Sequence, residues 1–131
     1  MKKDITIPKV KDIYVAIVNE YNDIYKTQDW NAYIINDKDV DLEMVIIVTD
    51  GYSEDKMTSI FRKKIDTLPK KSYAKIELMQ EDLFALNNRF KVSYFVGNTM
   101  FDKTYLFRKN TINISALQRI PLMEAKGVLV K

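Results

Sequence analysis

The stretch KVSYFVGNTMFDKTYLF, residues 91–107, alternates bulky and polar residues on both sides of Gly97-Asn98. A two-residue connection that begins with glycine is typical of a β-hairpin with a type II′ turn, and the turn fixes the register of the two strands. The pattern predicts one buried face that is rich in aromatic rings and one mixed face. The ring-rich face carries the pairs Val96 with Thr99, Tyr94 with Phe101, Val92 with Lys103 and Phe90 with Tyr105. The mixed face carries Phe95 with Met100, Ser93 with Asp102, Lys91 with Thr104 and Arg89 with Leu106.

Similar runs recur along the chain with turn residues between them. Asp12–Tyr21 and Trp30–Asn36 are rich in β-branched and aromatic residues, which favours strands. Leu42–Thr49 is a nearly unbroken apolar run, which is typical of a central strand covered on both faces or of a subunit contact. Met57–Ile65 carries three adjacent cations, which is typical of an edge strand protected by charge. One further strand is predicted after the Leu68-Pro69 turn, with Ala74, Ile76 and Leu78 on one face.

Helical signals are short. Residues 80–88 and 115–120 each predict one or two turns, the second with a serine cap and a proline at its end. About seven strands at short spacing, with no helix long enough to form a layer, predict an all-β protein built as a two-sheet antiparallel β-sandwich. A small barrel would show the same spacing, and a helical period in residues 15–25 is a further alternative. The length predicts a single domain over residues 1–131.

The order of these signals resembles that of immunoglobulin-like modules of the fibronectin type III or bacterial chaperone kind. In WNAYIINDKDVDLEMVIIV (30–48) a strand that ends in asparagine precedes a short polar loop, and in IDTLPKKSYAKIELM (65–79) a Leu-Pro turn introduces a later strand. The resemblance covers residues 30–107. It implies an immunoglobulin-like sandwich and no particular function.

Taken whole, the sequence resembles a group of small uncharacterised bacterial proteins. The matching stretches are DITIPKV (4–10), DWNAYIIN (29–36), TSIFR (58–62), SYFVGNTMFDKTYLF (93–107) and IPLMEAKGVLV (120–130). Members of that group often carry the name phenylalanyl-tRNA synthetase subunit. The residues argue against that name, because a class II synthetase catalytic domain is much longer and uses two nucleotide motifs, one of them rich in glycine, whereas this chain has three glycines in all. No functional residue is transferred from the group.

Composition excludes several kinds of chemistry. The chain has no cysteine, which excludes disulfides and thiol nucleophiles, and no histidine, which excludes serine-histidine-acid catalysis. Its net charge of +3 is slight for 131 residues, so it neither requires nor forbids an acidic partner. The first residues, MKKDITIPK, lack the apolar region of a secretory signal, and no segment approaches a membrane span. These features predict a cytoplasmic protein that makes no contact with a membrane.

The acidic residues form only weak candidate sites. The segment NDKDVDLE (36–43) has aspartate at every second position, as the start of a calcium loop has, but Leu42 and Val48 stand where an EF-hand needs glycine and glutamate. An exposed hairpin loop is the expected structure of that segment. The other acids fall in predicted loops, and no glycine-rich phosphate motif is present. The sequence therefore predicts no catalytic residue, no cofactor and no metal site, and an enzyme of unrecognised class is the least favoured reading.

Two regions remain as candidates for binding. Cations and rings alternate in residues 61–75, as they do in proteins that grip single-stranded RNA, although protection of a sheet edge explains the same cations. The run MVIIV (44–48) and the tail GVLVK (127–131) are apolar features that one small sandwich is not expected to cover fully. The tail is expected either to fold back on its own sheet or to pair with a second subunit. The possible interaction residues are Arg62, Lys63, Lys64, Lys70, Lys71, Tyr73, Phe95 and Met100.

The sequence accordingly predicts a non-catalytic protein-binding or self-assembly module, with a homodimer as the favoured assembly and an unidentified protein as another partner. An RNA-binding accessory protein that uses residues 61–75 is the alternative, with nucleic acid the less favoured partner. Four large rings have no place in the strand pattern, and a patch that gathered several of them would favour a ligand site. They are Tyr14, Tyr21, Tyr25 and Trp30.

Overall fold

A computed structural model describes residues 8–131, which form two antiparallel sheets and two short 3-10 turns. The first sheet has the strand order β5-β2-β1-β9-β8, and the second has the order β4-β3-β6-β7. The turns lie at Glu81–Ala85 and Ile114–Ala116. The strands are β1 (Ile13–Asn22), β2 (Thr27–Asn36), β3 (Leu42–Tyr52), β4 (Phe61–Leu68), β5 (Ser72–Met79), β6 (Asn87–Val96), β7 (Thr99–Phe107), β8 (Gln118–Arg119) and β9 (Lys126–Val130).

This architecture confirms the prediction of an all-β, two-sheet antiparallel sandwich. Strands β1, β2 and β5 lie in one sheet, and β3, β6 and β7 lie in the other. Immunoglobulin-like domains divide their first, second and fifth strands from their third, sixth and seventh in the same way. Here β4 joins the second sheet, while β8 and β9 extend the first sheet beyond β1. The chain is therefore compatible with an immunoglobulin-like fold that has two additional strands.

The core lies between the inner faces of the two sheets. Both sheets contribute alternate residues to it, such as Ile17 and Ile34 from the first and Ile47 and Phe90 from the second. The hydroxyl of Tyr105 in β7 donates a hydrogen bond of 2.5 Å to the carbonyl oxygen of Ile13 in β1, so a buried polar group also joins the two sheets. One apolar cluster with members from both layers is what the alternating pattern requires.

The predicted register of the β6–β7 hairpin is confirmed at all eight pairs, from Arg89 with Leu106 to Val96 with Thr99. Gly97 has φ of 59°, the left-handed conformation that the tight turn requires and that glycine adopts without steric cost. The rings of Phe90 and Tyr94 are buried in the core. The aromatic residues of this hairpin are therefore mainly core residues rather than a display surface.

The β3 strand is central, as predicted, but it is not covered on both faces. The opposite sheet covers only its inner face, and Met44 and Ile46 remain 52% and 39% exposed. The strand that is covered on both faces is β1, whose residues 15–18 are all fully buried. Their outer side packs against a second cluster that includes Ile35 and Ile120. Continuous apolarity in β3 therefore reflects an exposed apolar face and not a second layer.

Three local predictions are wrong. The segment 36–43 is not a hairpin loop, because β2 and β3 belong to different sheets and the loop crosses between them. Leu78 does not share the inner face with Ile76, because a bulge in the β2–β5 pairing reverses the alternation and leaves Leu78 half-exposed. The short helical turn predicted in residues 115–120 is present as the 3-10 turn Ile114–Ala116, but its predicted serine cap is wrong, because Ser115 lies inside the turn and its hydroxyl donates to the Asn113 side chain.

The C-terminal tail folds back on its own sheet. Strand β9 pairs with β1 along four residues, so the tail is not available as a strand for a neighbouring subunit. Gly127 lies so close to β1 that a Cβ atom at this position would stand 2.6 Å from the carbonyl oxygen of Ile17 and 2.8 Å from the Cα of Val18. Both of these are backbone atoms, which cannot move aside without breaking the strand pairing.

We expect Gly127→Ala to destabilise the fold by about 3 kcal/mol, the scale of severe overpacking, because the added methyl group separates β9 from β1. Gly97→Ala is the matched control, since nothing lies within 4 Å of a Cβ there and only the positive φ opposes the change. Gly97→Ala should lower the free energy of unfolding by about 1 kcal/mol. Urea denaturation of the two variants measures the difference, and equal losses would contradict the assigned role of Gly127.

Candidate functional site

The solvent-facing side of the four-stranded sheet joins exposed apolar and charged residues. We call it the outer sheet face. Strand pairing places Lys64, Ile46, Ser93 and Asp102 side by side in one row across all four strands. Lys64 and Asp102 are exposed at the two ends of the row, and Ile46 lies between them. The row is therefore positive at one edge, apolar in the middle and negative at the other edge.

The neighbouring rows add to the same surface. Phe95 pairs with Met100 on this face, and Met100 is 51% exposed while Phe95 is half-buried. Val48 lies between Arg62 and Lys91 in the row on the other side. A shallow groove of about 350 Å³ runs along Val48, Ile46 and the β6–β7 residues beside them. Two of the predicted interaction residues, Phe95 and Met100, thus belong to one continuous face.

The predicted basic segment 61–75 is divided between the two sheets. Arg62 and Lys64 lie on the outer sheet face, whereas Lys63 pairs with the core residue Ile47 and lies on the opposite side of β4. Tyr73 belongs to β5 in the other sheet, where its ring stands edge-on to Tyr33 at a centroid distance of 5.7 Å. The sequence spacing suggested one binding site made of cations and aromatic rings, but the fold places these residues on different sheets and faces.

Lys70 and Lys71 contact the aspartates of the segment 36–43. The Lys71 ammonium lies 3.1 Å from a carboxylate oxygen of Asp37 and 3.9 Å from one of Asp39. The backbone N–H of Lys70 donates to the carboxylate of Asp41 at 2.8 Å. The β2–β3 loop and the β4–β5 turn at this end of the sandwich are therefore joined by these contacts. These contacts use the acids that resembled a calcium loop and, of the two lysines that were candidates for RNA binding, the ammonium group of Lys71.

A cleft of about 350 Å³ opens between the two sheets, where β5 of one sheet faces β3 and β4 of the other. Glu77 is half-buried in it, and burial raises the pKa of its carboxyl group, while a hydrogen bond with the Thr49 hydroxyl acts in the opposite direction. The rings of Phe61 and Phe90 form part of its apolar wall. Sequence reasoning missed this cleft, because Glu77 and Thr49 belong to different sheets.

An ion pair joins Asp50, which lines the cleft, to Arg89 of β6. Arg89 donates two hydrogen bonds to Asp50, of 3.0 Å from Nε and 2.7 Å from a terminal nitrogen, in a bidentate arrangement. The guanidinium also lies 4.9 Å from the centre of the Tyr52 ring. These hydrogen bonds lower the pKa of the Asp50 carboxyl group, against a smaller opposing effect of burial. Asp50 is therefore already neutralised.

A polar cluster on the outside of the five-stranded sheet was also not predicted from the sequence. Glu20 accepts hydrogen bonds from the side-chain amide of Asn31 at 2.9 Å and from the hydroxyl of Tyr33 at 2.5 Å. Burial and the bond to Glu20 raise the pKa of Tyr33. The buried amide oxygen of Asn31 accepts no hydrogen bond from the described residues.

The four unplaced rings do not gather in one patch. Trp30 is buried and packs edge-on to Phe84 at 5.4 Å. Tyr21 and Tyr25 are exposed near the β1–β2 turn, and Tyr14 lies on the outside of the five-stranded sheet against the second cluster. They therefore define no shared aromatic site.

Comparison with models of protein families gives no match, and searches of curated proteins and of solved structures also find none. The resemblance to the small bacterial proteins thus stays a prediction. Neither 3-10 turn in the described residues 8–131 is long and apolar enough to cross a membrane.

We expect Arg89→Met to lower the free energy of unfolding by about 2 kcal/mol at neutral pH, because it leaves Asp50 without its bidentate partner. The depressed pKa of Asp50 means that its contribution is complete above the unfolded-state value of about 4 and is lost as the pH falls through the lower folded-state value. The difference in the free energy of unfolding between the variant and the wild type should therefore disappear at acidic pH. Denaturation from neutral to acidic pH measures it, with the exposed Arg108→Met as control.

Glu77→Gln should have the opposite effect. Since the folded-state pKa of Glu77 is raised, its charged form opposes folding, and wild-type stability falls as the pH rises through that pKa. The variant should gain about 1 kcal/mol at neutral pH, a typical single-residue effect, and gain nothing at low pH. Thermal melting across this range gives the comparison. Glu81→Gln, at an exposed acid, should melt with the wild type, and a loss of stability in Glu77→Gln at neutral pH would refute the burial argument.

Proposed function

We propose that this chain is a non-catalytic self-assembly module that forms a homodimer through its outer sheet face. The observation that carries the proposal is the row formed by Lys64, Ile46, Ser93 and Asp102, with opposite charges at its two ends. A surface of this kind is complementary to itself. The other parts of the proposal are a cytoplasmic location and the absence of an enzymatic role.

The symmetry of the pairing follows from the order of the charges. A two-fold axis that lies in the interface and runs parallel to the strands places β4 of one subunit over β7 of the other. In that arrangement Lys64 of each subunit lies opposite Asp102 of its partner. The apolar middle of each outer sheet face then covers the apolar middle of the other. An axis perpendicular to the strands would instead place like charges together. Charge complementarity therefore selects one orientation.

The exposed apolar residues support the same face. Ile46 and Met100 are 39% and 51% exposed, and Met44 at the β3 bulge is 52% exposed. Covering apolar surface favours association, and Ile46 lies between the charges of Lys64 and Asp102 as an interface core lies within a polar rim. Lys64 also lies 3.8 Å from Asp66, but both side chains are largely exposed, so this pair holds Lys64 only weakly. The lysine remains available to a second subunit.

Charge reversal tests the proposed orientation. Lys64→Glu and Asp102→Lys should each weaken the dimer about tenfold, because each places like charges opposite one another at both ends of the interface. The double variant should recover most of the loss, since the charges are exchanged and again complementary. Lys75→Glu, an exposed reversal on the other sheet, should leave association unchanged. Sedimentation equilibrium from micromolar to millimolar protein gives the dissociation constants.

Two results would count against this function. A wild-type chain that is monomeric at every concentration would exclude the homodimer. A dimer whose single reversals are not rescued by the double variant would exclude this orientation. A gel shift with single-stranded RNA at low salt tests the alternative, and retardation that is lost on Arg62→Glu and with added salt would favour RNA binding instead.

A further inference from the structure

The inter-sheet cleft has an unusual balance of charge for this protein. The whole chain has 21 basic and 18 acidic residues, yet the described residues that line the cleft include Asp50, Glu77 and Asp82 and neither lysine nor arginine. Asp50 is neutralised by Arg89. Asp82 is exposed at the rim. Glu77 is therefore the acid within the cleft that has no cationic partner among the described residues.

A second group in the cleft, the side-chain amide of Asn88, has an oxygen for which the described residues supply no donor. Asn88 is only 4% exposed. Its two hydrogen bonds are both donated by the amide nitrogen, to the carbonyl oxygens of Leu83 and Leu86 at 2.9 Å and 3.1 Å. These bonds hold the nitrogen away from the cleft, and the amide oxygen lies beside Gly51, which lines the cleft with Asn88. No described residue donates a hydrogen bond to this oxygen, so it can accept one from a ligand.

The groups around the cleft share one chemistry. The Glu77 carboxylate, the amide oxygen of Asn88 and the hydroxyl oxygen of Thr49 can all accept hydrogen bonds, and the rings of Phe61 and Phe90 add apolar walls. N–H donors satisfy such acceptors, a positive charge compensates an unpaired buried carboxylate, and aromatic faces attract cations. The apolar walls suit a short hydrocarbon chain attached to the cation.

A metal ion fits the cleft less well. Among the described residues, no three acidic side chains come close enough together to hold one. Hard divalent cations take six or more oxygen ligands, with several charged groups among them. The cleft offers one unpaired carboxylate and an apolar wall. An organic cation matches this set better.

We propose that the inter-sheet cleft binds an organic cation with N–H donors, supplied either by a small amine or guanidine or by a lysine or arginine side chain of a peptide. Glu77 neutralises the charge, and Asn88 and Thr49 accept the N–H bonds. The site is independent of the outer sheet face, so it does not depend on the dimer. Either proposal can fail while the other stands.

Binding is tested on the full chain by two-dimensional NMR of the amide groups, including the side-chain amide of Asn88. The probes are n-butylamine and n-butylguanidine as their hydrochlorides, and a short neutral peptide that contains one lysine. The controls are n-butanol and the same peptide with norleucine, which have the hydrocarbon chain without the charge. Saturable shifts of Asn88 and its neighbours with a cationic probe, and none with the controls, are the expected result.

The two sources give different outcomes. Saturation by the free amines at concentrations similar to the peptide's assigns the cleft to small molecules, whereas saturation by the lysine peptide at much lower concentrations assigns it to a side chain. Glu77→Gln should weaken binding of the active probe at least tenfold, and Asp82→Asn at the rim should change it less than twofold. The amide spectrum of Glu77→Gln shows directly whether that variant is folded.

The proposal is overturned if no cationic probe gives a saturable shift, if the neutral probes shift the same resonances to the same extent, or if folded Glu77→Gln binds like the wild type. Sedimentation of the same samples separates this outcome from the dimer. Loss of amine binding with association intact refutes only the cleft, and monomeric protein that still binds amine refutes only the homodimer.

Discussion

The packing of two sheets on one shared core is the constraint on which the rest of the structure depends. Because side chains alternate along a strand, each residue that enters the core sends its neighbours to the other side of its sheet. The inner faces use the bulky side chains, including Phe90 and Tyr105. What lies outside is then fixed by register alone. The inner-face residues fix the register of the four strands, and this register places Lys64 and Asp102 in one row on the outer sheet face.

The strand pattern was sufficient for the sandwich and for the β6–β7 register, because both follow from local information. A two-residue turn permits one alignment, and the alternation of bulky residues agrees with it along the whole hairpin. The edge position of β4 was also predictable, since its cations are incompatible with a buried central strand. Phe95 and Met100 were assigned to the mixed face for the same reason, and they lie there.

The features that were missed depend on contacts between residues far apart in the sequence. A run of apolar residues looks the same whether a second layer covers it or not, so β1 and β3 could not be distinguished by pattern. The bulge in the β2–β5 pairing reverses the side of Leu78 without a glycine or proline to mark it. The cleft joins Thr49 and Glu77 from two sheets, and the loop ion pairs join Asp37 to Lys71. None of these pairings has a local signature.

The way in which β9 covers β1 has a consequence for how the protein resists aggregation. Val15 and Val130 are paired although more than a hundred residues separate them in the sequence, and β9 pairs with β1 along only four residues. When the short strand detaches, it uncovers the edge of a strand whose central residues are all apolar, which is the kind of segment that recruits other chains. Detachment of β9 alone, without complete unfolding, is therefore enough to expose a segment that can pair with another chain.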